Sequence, residues 1–352
     1  YLTQITEDGD IAVLSGSNQF SVSDEVIRGG VKIQKRDLET SDTKGQGSAT
    51  LKDAEFEIIS LNDNAVLVEG KLYSKNEVVK TILTDIEGVA STSADLLPYG
   101  KYRIEESKAP EGYLTNGAEP IEFEITEDGK IVDLTGTDTS IYNQVKRGDL
   151  EGVKIGAGTH QRLAGVTFRI TSKTTGESHI IVTDDNGQFS TSADWASHKH
   201  DTNEGKDSED GVWFGTSEPD DTKGALLYDT YIIEELRCES NKGFELIPPF
   251  EIVVSRNNVT VDLGTLTDEY EKEITIHTTA TGKDGEKSII AGKEVTIIDT
   301  VTLDGLEKGT KYQLKGWQML KEENAELLID GQRVESDYTF TADSGEMKIE
   351  IE

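Results

Sequence analysis

The chain repeats itself, and the repeats constrain its fold more than any other feature. Residues 54–60 (AEFEIIS) return as 166–172 (VTFRITS), 84–95 (TDIEGVASTSAD) as 183–194 (TDDNGQFSTSAD), and 102–106 (YRIEE) as 231–235 (YIIEE), in the same order. The strand-like pieces alternate apolar and polar residues, which gives a strand one buried and one wet face. Two copies of one all-β domain follow, over residues 30–148 and 149–270. A third motif, ITEDGDIAVLSG at 5–16, recurs as ITEDGKIVDLTG at 125–136 and more loosely as VVSRNNVTVDLG at 253–264. With Asp8-Gly9, Asp128-Gly129 and Asn257-Asn258 as turn residues, it reads as one β-hairpin seen three times. Residues 1–29 then hold the closing part of an earlier copy.

The copies differ between STSAD and the YIIEE strand, where the second carries a polar insertion, 195–224. Without periodicity, it reads as a surface loop. Residues 271–352 have other strand spacings and stop within an alternating run, MKIEIE, as expected for a third domain continued beyond this chain. The fold class is thus all-β, with tandem β-sandwich domains in an elongated array.

Composition narrows the function. A formal charge of -33 argues against nucleic acid or anionic membrane as partners. One cysteine excludes a disulfide framework, and five histidines with two methionines leave little for metal or redox chemistry, so no cofactor is expected. No apolar run reaches membrane-spanning length and residues 1–9 are unlike a leader peptide, so secretion and anchoring signals are expected outside this chain. His198, His200 and Asp201 lack the ligand spacing of a metal site. Arg147-Gly148-Asp149 follows a core strand directly and reads as a linker. No nucleophile elbow or phosphate loop is present, so no enzyme turning over an external substrate is expected.

Within residues 31–37 (VKIQKRD), Val31, Ile33 and Lys35 share one face, which places an ammonium among apolar side chains. Such a group must be neutralised, paired or consumed. Glu106 lies on the face of Tyr102 and Ile104, and Asn143 on that of Ile141 and Val145. In a two-sheet sandwich all three polar groups would point into one core. Two readings stand at this point. One is a structural cluster in which the lysine is ion-paired and hydrogen-bonded. The other is chemical: burial favours the neutral forms of amines and carboxylic acids, and a free amine beside a polarised carboxamide can form an amide and release ammonia.

VKIQKRD, EESKAPEGY at 105–113 and a last-strand asparagine together resemble the collagen-adhesin B-type repeat, or SpaA-like pilin domain, of Gram-positive surface proteins. The resemblance implies immunoglobulin-like or prealbumin-like sandwiches that form an isopeptide bond between Lys35 and Asn143, with Glu106 as proton shuttle. In the earlier copy Asp24 takes the last-strand position, its lysine being expected before residue 1. The second copy departs from the pattern. Aligning VKIQK with VKIGA (153–157) puts Ala157 in the place of the lysine, beside Glu235 and Asp268, while alternation puts Lys154 on the wrong face. No bond is therefore expected in 149–270. IHTTATG (276–282) followed by TIIDTVTLDGLEKGTKYQLKGWQM (296–319) resembles the VaFE repeat. That resemblance implies an ester bond with Thr278 as nucleophile and a glutamine expected beyond residue 352.

Together these features describe the stalk of an extracellular, wall-attached adhesin or pilin-like protein of a Gram-positive bacterium. It is expected to be monomeric and to meet a host protein or carbohydrate through the full-length protein. Two rivals differ in class: a ligand-binding module built on exposed Trp195, Trp213 and Phe214, and an accessory module of a large extracellular enzyme.

Overall fold

The computed structural model describes residues 24–115, 118–271, 273–290 and 292–352. The first copy of the repeated motif, at 5–16, lies outside them. Two compact units divide the chain, one running to residue 242 and including 246–268, the other formed by 243–245 and 269–352.

The first unit holds two sandwiches. In the first, Arg28–Asp37 pairs antiparallel with Val89–Ser91 and Leu97–Pro98, and parallel with Ile131–Leu134 and Ile141–Asn143. Facing it is a sheet in the order Val78–Leu83, Glu55–Ser60, Gly100–Lys108, Ile121–Ile125. Val31, Ile33, Phe56, Ile58, Tyr102 and Ile104 fill the space between. Burying one such side chain contributes about 1.5–3 kcal/mol. The second sandwich repeats the plan, with Arg147–Gly156 beside Gln188–Ser190, Leu226–Leu227 and Thr260–Asp268. Opposite lie Ser178–Val182, Thr167–Ser172, Asp229–Leu236 and Phe250–Val254.

The copies agree down to single hydrogen bonds. Tyr102 and Tyr231 each donate from the hydroxyl to the carbonyl four residues earlier, Pro98 at 2.8 Å and Leu227 at 3.0 Å. Thr84 accepts from Ala54 N, and Thr183 from Val166 N. Thr92 accepts from Val31 N, and Thr191 from Leu150 N. The last pair makes Val31 and Leu150 equivalent.

The repeated motif is not a hairpin, contrary to the reading of its turn residues. Ile121–Ile125 and Ile131–Leu134 lie in opposite sheets and do not pair with each other, and the same holds for Phe250–Val254 and Thr260–Asp268. Asp128-Gly129 serves instead as a corner between sheets. Gly129 N donates to Arg28 O, and Arg28 N to Asp128 Oδ1. In the second copy Asn258 N donates to Arg147 O, and Arg147 N to Asn257 Oδ1. The turn groups that would close a hairpin are bonded to the first strand of the sandwich, so the following strand continues alongside it.

The insertion is packed rather than free. Val212, Trp213, Phe214 and His198 are buried. The His179 ring lies between Asp201 and Glu177, 2.9 Å from each, and Glu177 accepts from Gly215 N. Burial disfavours the His179 cation, but the two carboxylates prevail and raise its pKa to about 9. Trp213 stacks on the Arg147 guanidinium, 3.7 Å from its centre. That guanidinium donates to Glu39 through Nε at 2.9 Å and Nη2 at 2.7 Å. Glu39 sits in the turn after the first strand of the first sandwich and also accepts from Gln144 and Ser217. The two side chains are 1 % and 2 % exposed. The arginine of the RGD triplet is thus consumed in the joint between the two sandwiches and is not displayed.

In the second unit, Thr275–Gly282, Ile297–Asp304 and Glu346–Ile351 form one sheet, and Lys311–Trp317 pairs with Glu335–Thr341. Val301, Leu303, Leu306, Phe340 and Ile349 make a small core. Among the described residues no helix is long and apolar enough to cross a membrane.

Removing one partner of the Glu39–Arg147 pair leaves a buried charge. Glu39→Gln is expected to lower stability by about 3–5 kcal/mol in denaturant titrations at neutral pH. Burial opposes ionisation of Glu39, but Arg147 overrides it and lowers the pKa to about 2 from 4.5. A depressed acid contributes stability above its unfolded pKa and loses it as pH falls through the folded one. The wild-type advantage should therefore fade between about pH 4.5 and 2 and be absent below.

Candidate functional site

The first sandwich brings Lys35, Glu106 and Asn143 together in its core. Lys35 and Asn143 are fully buried, and the Glu106 side chain is 1 % exposed. Lys35 Nζ lies 2.9 Å from Glu106 Oε1 and donates to Asn143 Oδ1 in a very short contact. Asn143 Nδ2 donates to Glu106 Oε2 at 2.6 Å. One carboxylate thus spans the amine and the amide nitrogen, which is the arrangement needed to move a proton from one to the other. The sheet explains the meeting. In the parallel pair Lys35 stands opposite Ile141, and one step of period two further on is Asn143, on the same face.

Burial lowers the Lys35 pKa to about 8, against the opposing pull of Glu106. At neutral pH a fraction on the order of a tenth is then the free amine, far more than for a solvated lysine. Phe56 lies beside the ammonium, its ring centre 5.8 Å from Nζ.

The second sandwich overturns the expectation that its site is empty. Lys154 is fully buried and points into the core, 3.0 Å from Glu235 Oε2 and in very short contact with Asp268 Oδ1. The register matches the first copy: Lys154 stands opposite Leu266 in a parallel pair, and Asp268 lies two residues on. Burial pushes the Asp268 carboxyl above the usual carboxylate range. Ala157 is not the counterpart of Lys35. With Val31 equivalent to Leu150, RGGVKIQK aligns with RGDLEGVK, and the two lysines coincide.

The misreading has a packing cause. Leu150, Gly152 and Lys154 face inward, whereas Val153 and Ile155 are only half-buried. Ile33 is paired with Ala90 in the first sandwich, and the equivalent Gly152 with Phe189 in the second. A Cβ on Gly152 would come within 2.9 Å of the Phe189 ring. Bulk has moved across the strand pair, so the inward phase of residues 150–154 lost its apolar marker. The Arg-Gly dipeptide at the same distance before each lysine, Arg28-Gly29 and Arg147-Gly148, was the usable signal.

Asp24 is exposed and lies outside any strand. Thr278 stands opposite Val301, which stands opposite Ile349, so its side chain shares their core-facing side of the sheet, although it is itself exposed. Asp299 falls on that side too, opposite Ala280, with a buried Oδ1 that has no hydrogen-bond partner among the described residues. Sequence reasoning passed over it. His198 is buried between backbone carbonyls and His200 is exposed, and among the described residues no group of three His, Cys, Asp or Glu side chains is arranged to hold a metal ion.

Comparison with known proteins agrees with this anatomy. The model of the SpaA prealbumin-like fold domain matches residues 30–140, and that of the T-Q ester bond containing domain matches 274–352. A search of curated proteins found no match. The Bacillus anthracis TIE protein is similar at 15% identity and a TM-score of 0.42, covering 90% of this chain and 48% of its own, so this chain spans about half of its length. A streptococcal ancillary pilin matches at 18% identity and TM-score 0.25 over 69% of this chain and 62% of its own. The shaft pilin SpaA of Lactobacillus rhamnosus GG matches at 13% and 0.24 over 69% and 98%. By these family models, residues 30–140 belong to the SpaA prealbumin-like fold domain and residues 274–352 to the T-Q ester bond containing domain.

Proposed function

We propose that this chain is a load-bearing stalk segment of a wall-attached Gram-positive adhesin or pilin, in which both sandwiches of the first unit are closed by autocatalytic isopeptide bonds. The observation that carries the reading is the same buried lysine, glutamate and acyl side chain at the same register in both copies.

The chemistry follows from the geometry. In the first sandwich the lone pair of Lys35 Nζ attacks Asn143 Cγ. Glu106 takes a proton from the nitrogen through Oε1 and delivers one through Oε2 to Asn143 Nδ2, which leaves as ammonia. In the second, Lys154 attacks Asp268 with Glu235 as shuttle, and water leaves. Each reaction occurs once per molecule and regenerates the glutamate, so no external substrate is turned over.

The bonds join first to last strand, across 108 residues in one sandwich and 114 in the other. By analogy with disulfides, closing a loop of this size removes denatured-state entropy equivalent to about 4–5 kcal/mol. Under tension the load would pass through covalent bonds and bypass the ladders. Thr278, with Asp299 on the same face of the sheet, is the proposed nucleophile of an ester bond in the full-length protein. Burial of Trp213 and Phe214, with Trp195 half-buried, takes away most of the aromatic surface that a ligand site in the insertion would need, so host contacts are assigned to other parts of the protein.

Intact-mass measurement with peptide mapping tests the reading. Wild type should be lighter than its sequence by one ammonia and one water, with Lys35–Asn143 and Lys154–Asp268 peptides joined. Glu106→Ala should regain only the ammonia and Lys154→Met only the water. Sequence masses throughout would refute the proposal. Asn143→Ala strands an unreacted Lys35 in the core. An amine with a lowered folded pKa binds its proton more weakly in the folded state, so this variant should gain stability as pH rises from about 8 to 10.5. Asn143→Ala/Lys35→Met should lack that gain in the same denaturant titrations.

A further inference from the structure

We propose that Asn241 is a positioning residue for the second cross-link, holding the Glu235 carboxyl as a hydrogen-bond acceptor between Lys154 and Asp268. The inference rests on the cross-linking reading above.

In the first sandwich the reacting Asn143 supplies an N–H to Glu106. Asp268 has no N–H to offer, so the second glutamate would lose that donor. Asn241 replaces it. The strand that carries Glu235 ends one residue later, at Leu236, whereas the strand of Glu106 runs on to Lys108, and the chain released after Leu236 forms a single 3-10 turn, Glu239–Asn241. There Asn241 is fully buried, and its Nδ2 donates to Glu235 Oε1 at 2.9 Å. Ile247 N donates to Glu235 Oε2 at 3.2 Å. The orientation of the Asn241 amide is itself fixed, because Nδ2 also donates to Leu236 O and Oδ1 accepts from Cys238 N, each at 2.9 Å. Turning the amide over would set its oxygen against two acceptors.

Both oxygens of Glu235 therefore accept hydrogen bonds, which fixes the carboxyl plane between Lys154 and Asp268. The reaction needs Asp268 as the neutral acid, the form that its burial and then the neighbouring Glu235 favour. The step balances. The Lys154 amine attacks Asp268 Cγ and the C–N bond forms. Glu235 Oε2 takes a proton from the nitrogen and returns it to the departing hydroxyl, the C–O bond breaks, and amide and water result with Glu235 unchanged.

The test uses the full chain, made by cell-free synthesis as wild type, Asn241→Ala and Asn241→Asp, and chased over a pH series. Peptide mapping follows the Lys154–Asp268 bond, and the Lys35–Asn143 bond in the same molecules reports folding. Asn241→Ala should slow the second bond by about tenfold to a hundredfold, the rate equivalent of one hydrogen bond to a charged group. The acid limb of its pH profile should move to higher pH, with the first bond unchanged. Asn241→Asp, which places a second carboxylate against Glu235, should be slower still. Wild-type rate and pH profile in Asn241→Ala would overturn the inference while leaving the cross-link standing. Equal slowing of both bonds, the mark of general destabilisation, would also overturn it. Absence of the second bond from wild type would remove the reading and the inference together.

Discussion

A lysine ammonium inside an apolar core is the constraint on which the first unit depends. Leaving it solvated would require opening the sandwich, and leaving it unpaired would cost several kcal/mol. Both sandwiches meet the demand in one way, by aiming a glutamate and an acyl side chain at the amine from the facing sheet and the neighbouring parallel strand. Desolvation, which makes the arrangement expensive as a salt bridge, is also what makes the amine a usable nucleophile. Cost and reactivity have the same origin.

Much of this was legible in residues 31–37, 102–106 and 141–145, because in the first sandwich each polar group shares its phase with apolar neighbours. Lys35, in phase with Val31 and Ile33, could not be missed. Lys154 could, since the inward position before it is a glycine and its out-of-phase neighbours are valine and isoleucine. The exchange of Ile33 with Ala90 for Gly152 with Phe189 conserves the volume between the sheets while erasing the one-dimensional pattern. Turn chemistry misled for a related reason. Asp128-Gly129 has the residues of a hairpin turn, yet its hydrogen bonds go to Arg28, a partner 100 residues away in the chain.

The joint between the sandwiches was illegible in the sequence, because no local period marks it. Glu39, Arg147 and the insertion are far apart in the chain, and their meeting depends on how the two sandwiches stack. In the folded unit the insertion caps the joint, with Trp213 on one face of the guanidinium and Glu39 at its edge. A polar loop of this kind reads as solvent-exposed until its aromatic residues find a partner. Covalent closure within each sandwich and a buried ion pair between them would together make one continuous path for force through the first unit.

That path is the central claim, and pulling single molecules by their ends tests it most directly. With both bonds formed, the residues enclosed between Lys35 and Asn143 and between Lys154 and Asp268 cannot extend, so the force trace should show no release of chain from either loop. Release of the full length of either loop in wild type, as for an ordinary unfolding β-sandwich, would contradict the account.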